Sequence, residues 1–439
     1  MANQHNLNDS KDQSNGVASF AVATDRPLGR AGSRSVRYLK VDLDAVTVPA
    51  RTERLPVQVA FALDRSGSMG GEKMSLAREA VIAAVRRLQA TDRFAVTVFD
   101  NTVDVVEART LATPTAVERA RVALNRVDAR GSTALHDGWV AACRQIGDRA
   151  DAEGVARCIL VTDGQANIGP SDSGVLAELA RRQRLAGVAT STLGIGEDFQ
   201  EELLAAMSKA GGGQFYYVQR ADQLDRILQS EIGEAMEVCA RGVAVELWPS
   251  AGVRLELLSD YPSTWTGTHL HVEVGDLVSA QHLELLVSAR LASGQVGDEA
   301  SVEVRVSDRE GPLALPLQTA RWQIADHTAN DRQPRDFEVL RGVAKVIAAR
   351  ALLSVLGYNR RGSFHDVHAR LDEAIRQLRV LGANDPEIAS DIQQLERHRV
   401  ELSHRIAEQS LKAHHMVGTS MSRSKSMDGS SVRRPKDVN

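Results

Sequence analysis

An α/β fold is what this sequence predicts: a doubly wound, mostly parallel sheet, with an added β-sandwich and a C-terminal helical segment. Three observations carry that expectation. Val57 to Leu63 and Arg157 to Thr162 are nearly unbroken apolar runs of strand length, as expected of parallel strands covered on both faces. Around them, helical and strand patterns alternate, which favours right-handed crossovers with helices on both faces of one sheet. Beyond Gly242 the pattern changes to short strands separated by turn residues, and after Pro334 to helical periodicity.

Taken in order, residues 1–33 are polar and rich in Ser, Asn, Asp and Gly, so they are expected as a disordered tail. Ser35 to Asp44 alternates apolar and polar positions, and residues 34–48 are read as a strand that joins the sandwich. Residues 50–236 are assigned to the α/β domain. After the Val57 strand come a helix from Lys73 to Leu88, a strand from Phe94 to Phe99 and a turn at Asp100-Asn101, with Val103 to Val106 returning as an antiparallel edge partner. Pro114 opens another helix, and a further one runs through Ala134, Leu135, Val140, Ala141 and Ile146. Following Asp163 are a helix at Leu176 to Leu185, the strand Val188 to Ile195, a helix at Glu201 to Lys209, the strand Phe215 to Val218 and the helix Gln223 to Glu237.

Residues 240–326 form the expected sandwich, with strands at Val243, Val253, Leu283 and Val302. Residues 335–414 are expected as a helical hairpin or bundle, and 415–439 as a second disordered tail, Ser-rich and locally basic. Within it Ser420, Ser422, Ser424 and Ser426 beside Arg423 and Lys425 are candidates for phosphorylation, although a polar tail needs no such purpose.

The polar ends of the two buried strands hold the candidate site. Asp64, Ser66 and Ser68 follow the first at every second position, with Gly67 between the serines and Gly70-Gly71 closing the loop. Asp163-Gly164 ends the second, and Gly131-Ser132-Thr133 opens the helix between them. Parallel strands of an open sheet end on one edge, where such sheets bind ligands, so the five oxygen side chains are expected to meet.

The pattern Asp-x-Ser-x-Ser, a Thr in a Gly-Ser-Thr loop, then Thr-Asp-Gly resembles the metal-ion-dependent adhesion site of von Willebrand factor A domains, including integrin inserted domains. Asp64, Ser66, Ser68, Thr133 and Asp163 match all five positions, and the resemblance spans roughly residues 50–236. The early strand and the later sandwich also resemble the integrin β-subunit order, with the α/β domain inserted between sandwich strands and its two chain connections lying together opposite the metal.

Five hydroxyl and carboxylate oxygens, without nitrogen or sulfur, select a hard cation such as Mg²⁺, with Mn²⁺ or Ca²⁺ able to substitute. The resemblance implies that the Ser and Thr hydroxyls and the two Asp hold the ion, directly or through water, and that one position stays open for an Asp or Glu of a partner protein. Neutral hydroxyl ligands leave much of the ion's charge available for that carboxylate. Whether Thr133 binds directly or through water is then a switch that moves its helix. The alternative is that Asp64 and Asp163 cap the following helices while Ser66 and Ser68 bond loop amides.

Function follows as an expectation: a Mg²⁺-dependent protein-binding module or scaffold, and not an enzyme. The alternative is an accessory, substrate-presenting subunit of a AAA+ ATPase complex of the chelatase kind, and a signalling scaffold would instead neighbour a kinase or phosphatase. A metal-dependent hydrolase ranks below these, because only His136 and Glu72 stand near enough in sequence to serve as a base. The chain holds no phosphate-binding Gly-x-x-x-x-Gly-Lys-Ser/Thr loop of its own. His365 with His368, and His414 with His415, are set aside as metal ligands for want of Cys or acidic partners.

Composition narrows the partners. With 53 Lys and Arg against 57 Asp and Glu, the net charge of −4 offers no field for nucleic acid or anionic lipid. Cys143, Cys158 and Cys239 are scattered through apolar patterns and read as reduced core residues. Together with the lack of a basic-then-apolar leader or a spanning apolar stretch, they point to a cytoplasmic location.

Overall fold

The computed structural model describes residues 16–48, 54–147, 154–309, 311–313, 315–426, 428 and 430–433. The chain opens with β1 (Val17–Thr24), β2 (Leu28–Arg30) and β3 (Ser35–Ala45). The α/β domain follows: β4 (Val57–Asp64), α1 (Glu72–Val85), β5 (Arg93–Phe99), β6 (Val103–Leu111), α2 (Pro114–Leu124), α3 (Leu135–Ile146), β7 (Val155–Thr162), α4 (Ser173–Leu185), β8 (Val188–Ile195), α5 (Glu201–Ala210), β9 (Gly212–Val218) and α6 (Leu224–Met236). Strands resume with β10 (Val238–Pro249), β11 (Val253–Leu257), β12 (Ser263–Trp265), β13 (Leu270–Val278), β14 (His282–Leu291), β15 (Glu299–Asp308), β16 (Gly311–Pro312) and β17 (Gln318–Ala325). Helices α7 (His327–Arg332), α8 (Phe337–Arg360), α9 (Phe364–Gly382), α10 (Pro386–Glu401) and α11 (Glu408–Ser422) close the chain.

The α/β sheet has the order β6-β5-β4-β7-β8-β9, parallel except for β6. Strand β4 is buried throughout because its side chains alternate between two cores. Val57, Val59, Phe61 and Leu63 pack with α1, α2 and α6, while Ala60 and Ala62 pack with α3 and α5 around Trp139. The small residues on the second side let α3 come close. A Cβ on Gly138 would lie 2.2 Å from the Phe99 ring, so only glycine permits that approach.

Two further sheets, β1-β3-β14-β11 and β12-β13-β10-β15-β17-β2, face each other as a sandwich. Leu39, Val41, Leu43 and Leu285 meet Val245, Val272, Val304 and Trp322 in its core. The α/β domain is inserted between β3 and β10. Its two connections meet: Val48 N donates to Ser279 Oγ at 2.9 Å, and Ser279 N donates to Glu237 O at 2.8 Å. Both lie at the start of β4, the end of the strand away from Asp64.

The two expected tails need correction where the structure describes them; residues 1–15 and 434–439 lie outside the described residues. Residues 17–30 contain β1 and β2, because Val17 and Phe20 turn into the sandwich core and β2 pairs with β17, a partner too distant in sequence to be read locally. At the other end, α11 continues to Ser422, and the stretch beyond packs where sheet and sandwich meet. Arg423 Nη1 donates to Gly213 O at 2.9 Å, Gln214 Nε2 to Ser420 Oγ at 3.1 Å, and His282 N to Val432 O at 2.9 Å. A Ser-rich composition reads as solvated, yet here the hydroxyls and the guanidinium satisfy buried backbone and amide groups. Ser420 and Ser422 are fully buried and closed to a kinase.

Helices α8 to α11 form a bundle around Val343, Leu352, Leu371, Leu378 and Leu395, with Leu286 of the sandwich in the same cluster. Asp336 and Asp385 cap α8 and α10 through backbone amides, and Pro386 opens α10 at the position where its missing N–H costs nothing. Helix α11 joins this bundle to the α/β domain, with Met416 against the second core.

Candidate metal centre

The chain reverses sharply after β4, and Ser66 N donates to Asp64 Oδ1 at 2.7 Å. Gly67 N then donates to Gly131 O at 3.1 Å and Arg130 N to Arg65 O at 2.7 Å, which zips this loop to the one carrying Thr133. Asn101 Oδ1 accepts from Ser132 N at 2.6 Å, and Asn167 Oδ1 from Thr133 N at 2.8 Å. Four loops are thus held to one another through backbone amides that donate to carbonyls and to two Asn side chains.

All five sequence-predicted residues come to that edge. Ser66 Oγ lies 3.1 Å from Ser68 Oγ, and Ser68 Oγ donates to Asp163 Oδ1 at 2.7 Å. Gly164 marks the middle of the group. A Cβ built there would stand 3.0 Å from Thr133 Oγ1 and 3.7 Å from both Asp64 Oδ2 and Ser68 Oγ, so a side chain would fill the space the oxygens surround. The capping alternative fails on this geometry. Gly71 is the N-cap of α1 and Asp172 that of α4, so neither Asp64 nor Asp163 caps a helix.

Asp64 and Asp163 are fully buried, and Ser66 and Thr133 nearly so. Burial pushes the Asp64 carboxyl up to about 6; hydrogen bonds from the Thr162 hydroxyl and from Ser66 oppose that rise, and the neighbouring Asp163 charge adds to it. Two buried carboxylates with hydroxyls beside them form a cradle of negative potential made wholly of hard oxygen donors, which fits a divalent cation of the Mg²⁺ class.

Sequence reasoning missed four contributors. Lys73 Nζ pairs with Asp163 Oδ2 and lies 3.3 Å from Ser68 O, so an ammonium group borders the cradle. Thr162 Oγ1 donates to Asp64 Oδ2; it stood in the Thr-Asp-Gly motif without a role. Asn167 belongs to no motif. Asp100, at the turn after β5, accepts from Arg65 Nε at 3.1 Å, Arg130 Nε at 2.6 Å and Thr102 N at 2.7 Å. Burial raises its pKa, but these donors outweigh burial and hold it well below the usual carboxylate range. This network fixes the base of both loops.

His136 Nδ1 lies 2.7 Å from Asp137 Oδ1, and Glu72 is an exposed first-turn acid of α1, where it complements the helix dipole. Beside the cradle an open cleft of about 610 Å³ runs to the helical bundle, lined by Asp172, Glu197, Asp198, Glu202 and Glu408, with Gln165 two residues past Asp163. Its floor is tied: Lys412 Nζ donates to Glu201 Oε2 at 2.8 Å and to Phe199 O at 2.6 Å, and Arg360 pairs with Glu201.

Residues 58–230 match the family model described as von Willebrand factor type A domain. Over these residues the chain carries a von Willebrand factor A domain. Among its relatives, YfbK of Escherichia coli strain K12 is 25% identical over 275 residues, covering 60% of this chain and 46% of YfbK. The protein sll0103 of Synechocystis is 25% identical over 327 residues, covering 68% of this chain and 75% of that one. The chain thus spans less than half of the first relative's length. A von Willebrand factor type A structure from Catenulispora acidiphila superposes with a TM-score of 0.71 at 19% identity, covering 93% of this chain and 98% of that one. That likeness shows the fold, and because it covers nearly all of both chains it includes the sandwich and the helices around the A domain. Von Willebrand A domains mediate protein–protein interactions.

Proposed function

We propose that this A-domain protein is a Mg²⁺-dependent protein-binding module that captures a partner's Asp or Glu carboxylate, and that it is not an enzyme. The carrying observation is the space at Gly164, bounded by Thr133 Oγ1, Asp64 Oδ2 and Ser68 Oγ. Ser66, Ser68 and Thr133 would hold the ion through hydroxyls, and Asp64 and Asp163 through carboxylates or bridging water. Mn²⁺ and Ca²⁺ fit the same donors. When bound, the cation supplies a centre of positive charge only partly neutralised by its ligands, able to accept a carboxylate from outside.

The chain's own residues do the rest. The zipped loops preorganise the donors, so little ordering remains when the ion arrives. The acidic cleft between cradle and bundle suits basic side chains flanking the partner's acid, which would add electrostatic complementarity.

Isothermal titration of the full chain with Mg²⁺, repeated on Asp64→Ala, is the first test, with a single binding event lost in the variant as the expected result. Capture of a partner from native lysate should disappear both with EDTA and with Asp64→Ala. Metal-dependent turnover of phosphoester or peptide substrates that vanishes in Asp64→Ala would replace this reading with a hydrolase.

A further inference from the structure

Away from the A-domain edge, three side chains converge where α10 ends and α11 passes over it. His398 and Glu401 lie one turn apart on α10, and His414 comes from α11. His414 Nε2 lies 3.2 Å from Glu401 Oε1, and His398 Nδ1 lies 3.5 Å from Glu401 Oε2. One ligand atom from each falls within 4.8 Å of the other two. Metal–ligand bonds of about 2.0–2.1 Å at tetrahedral angles place ligand atoms about 3.3 Å apart, so small side-chain rotations would bring this group into a coordination shell.

A further feature sets this cluster apart. His398 Nδ1 is buried, and its contact with Glu401 Oε2 at 3.5 Å is too long for a good hydrogen bond, although a buried ring nitrogen normally makes one. The edge-to-face contact of the two imidazoles, with centroids 4.9 Å apart, accounts for how the rings pack but gives that nitrogen no closer partner. Among the described residues, the two other comparable groups are occupied. Lys40 Nζ already sits 3.1 Å from Asp42 and 3.5 Å from Glu284 beside His282. Near Glu246 and His271, the His269 ring is stacked on Trp248 and bonded to Thr266.

We infer that His398, Glu401 and His414 form a second metal site, selective for a borderline ion of the Zn²⁺ class, that staples α10 to α11. Two imidazoles and one carboxylate disfavour Mg²⁺ and Ca²⁺, so this site and the all-oxygen cradle take different ions. Its consequence lies in what α11 carries. Lys412, two residues before His414, reaches Glu201 at the start of α5, and Met416 packs into the second core of the A domain. A metal joining α10 to α11 would therefore fix the helix through which the bundle grips the A domain.

The test uses the full chain carrying Asp64→Ala, which silences the cradle, stripped with chelator and titrated with Zn²⁺ in excess Mg²⁺. The expected result is one equivalent of Zn²⁺ bound, with affinity weakened at least about a hundredfold by His414→Gln and by His398→Gln. Co²⁺ should give the intense visible bands of a low-coordinate site, absent in His414→Gln. His398 and His414 are both partly exposed, and circular dichroism of each variant verifies that its fold survives. No zinc binding, zinc binding unchanged by His414→Gln, or zinc displaced by millimolar Mg²⁺ would each overturn the assignment.

Discussion

Replacing Asp64 by Asn should stabilise the metal-free protein while removing its affinity for Mg²⁺. The Asp64 carboxyl is fully buried and its pKa is pushed from the ordinary 3.8 to about 6. A folded state that holds this proton more tightly than the unfolded chain loses stability as pH rises from about 4 to about 6. The loss is complete above that window and amounts to about 3 kcal/mol. Asn has nearly the same shape, keeps an acceptor for Ser66 N, and carries no charge to desolvate. Without metal at pH 7.5, Asp64→Asn should therefore unfold about 6–12 °C higher than the parent in a thermal melt. The gap should close towards pH 4. Asp391, which burial also raises to about 6, is common to both proteins and cancels. Mg²⁺ at a hundredfold excess over its Kd should return about 2.7 kcal/mol to the parent alone and bring the two nearly level. An Asn variant no more stable than the parent at pH 7.5, or a gap independent of pH, would refute the buried-charge argument.

Lys73→Ala removes the ammonium that pairs with Asp163, so Mg²⁺ should bind about tenfold more tightly by calorimetry; weaker binding would mean that Lys73 positions Asp163 rather than competing for it. Mg²⁺ affinity should fall by about tenfold per pH unit once pH drops below the Asp64 pKa of about 6, as measured by competition with a fluorescent chelator. Glu201→Gln leaves Lys412 buried with its charge uncompensated and should cost about 3–5 kcal/mol in urea unfolding, whereas a loss under 1 kcal/mol would show that Arg360 and solvent relax around it.

The sheet and the five oxygens were legible because both depend on local runs. Val57 to Leu63 can hardly be anything but a strand covered on both sides, and its first polar residue must stand at the sheet edge. What was not legible depends on partners far away in the chain. Strand β2 is three residues long and exists through β17, nearly 300 positions later. Lys73 sits in an ordinary helical pattern, and only the fold shows that its ammonium reaches Asp163. The His414 pair was set aside for lack of an acidic partner, and the groups the fold brings beside His414 are Glu401 and His398. Composition misled at the C-terminus for a related reason. Serines and arginines are solvated in a free tail, but at the joint of three cores they become the hydrogen-bonding groups that buried backbone requires.

A conformational switch that runs from Thr133 through its helix was one expectation for such a site, and the hydrogen bonding here argues for a smaller movement. Thr133 N donates to Asn167 Oδ1, Thr133 O accepts from Asn167 N and Ile168 N at 3.3 Å, and Ala134 N donates to Asp100 O at 2.9 Å. The backbone at the start of α3 is pinned, so the hydroxyl can rotate without the helix. The other exit is α6, which leads directly into β10, and it is held more firmly still. Glu231, 1% exposed, accepts from Arg157 Nη1 at 3.0 Å, Ser191 Oγ at 2.8 Å and the Tyr216 hydroxyl. These donors come from β7, β8 and β9, three different strands. Sliding α6 by a turn would strand the buried Arg157 and cost about 3–5 kcal/mol, against the roughly 1–3 kcal/mol that coupling between sites usually supplies. Binding a carboxylate at the cradle should therefore leave α6 in place. Hydrogen exchange over Leu224–Met236 should be unchanged by Mg²⁺ and partner together, while protection rises around Thr133 and Asn167. Faster exchange along α6 on partner binding would show that the domain releases that helix despite the Glu231 cluster, and that the sandwich receives the signal through β10.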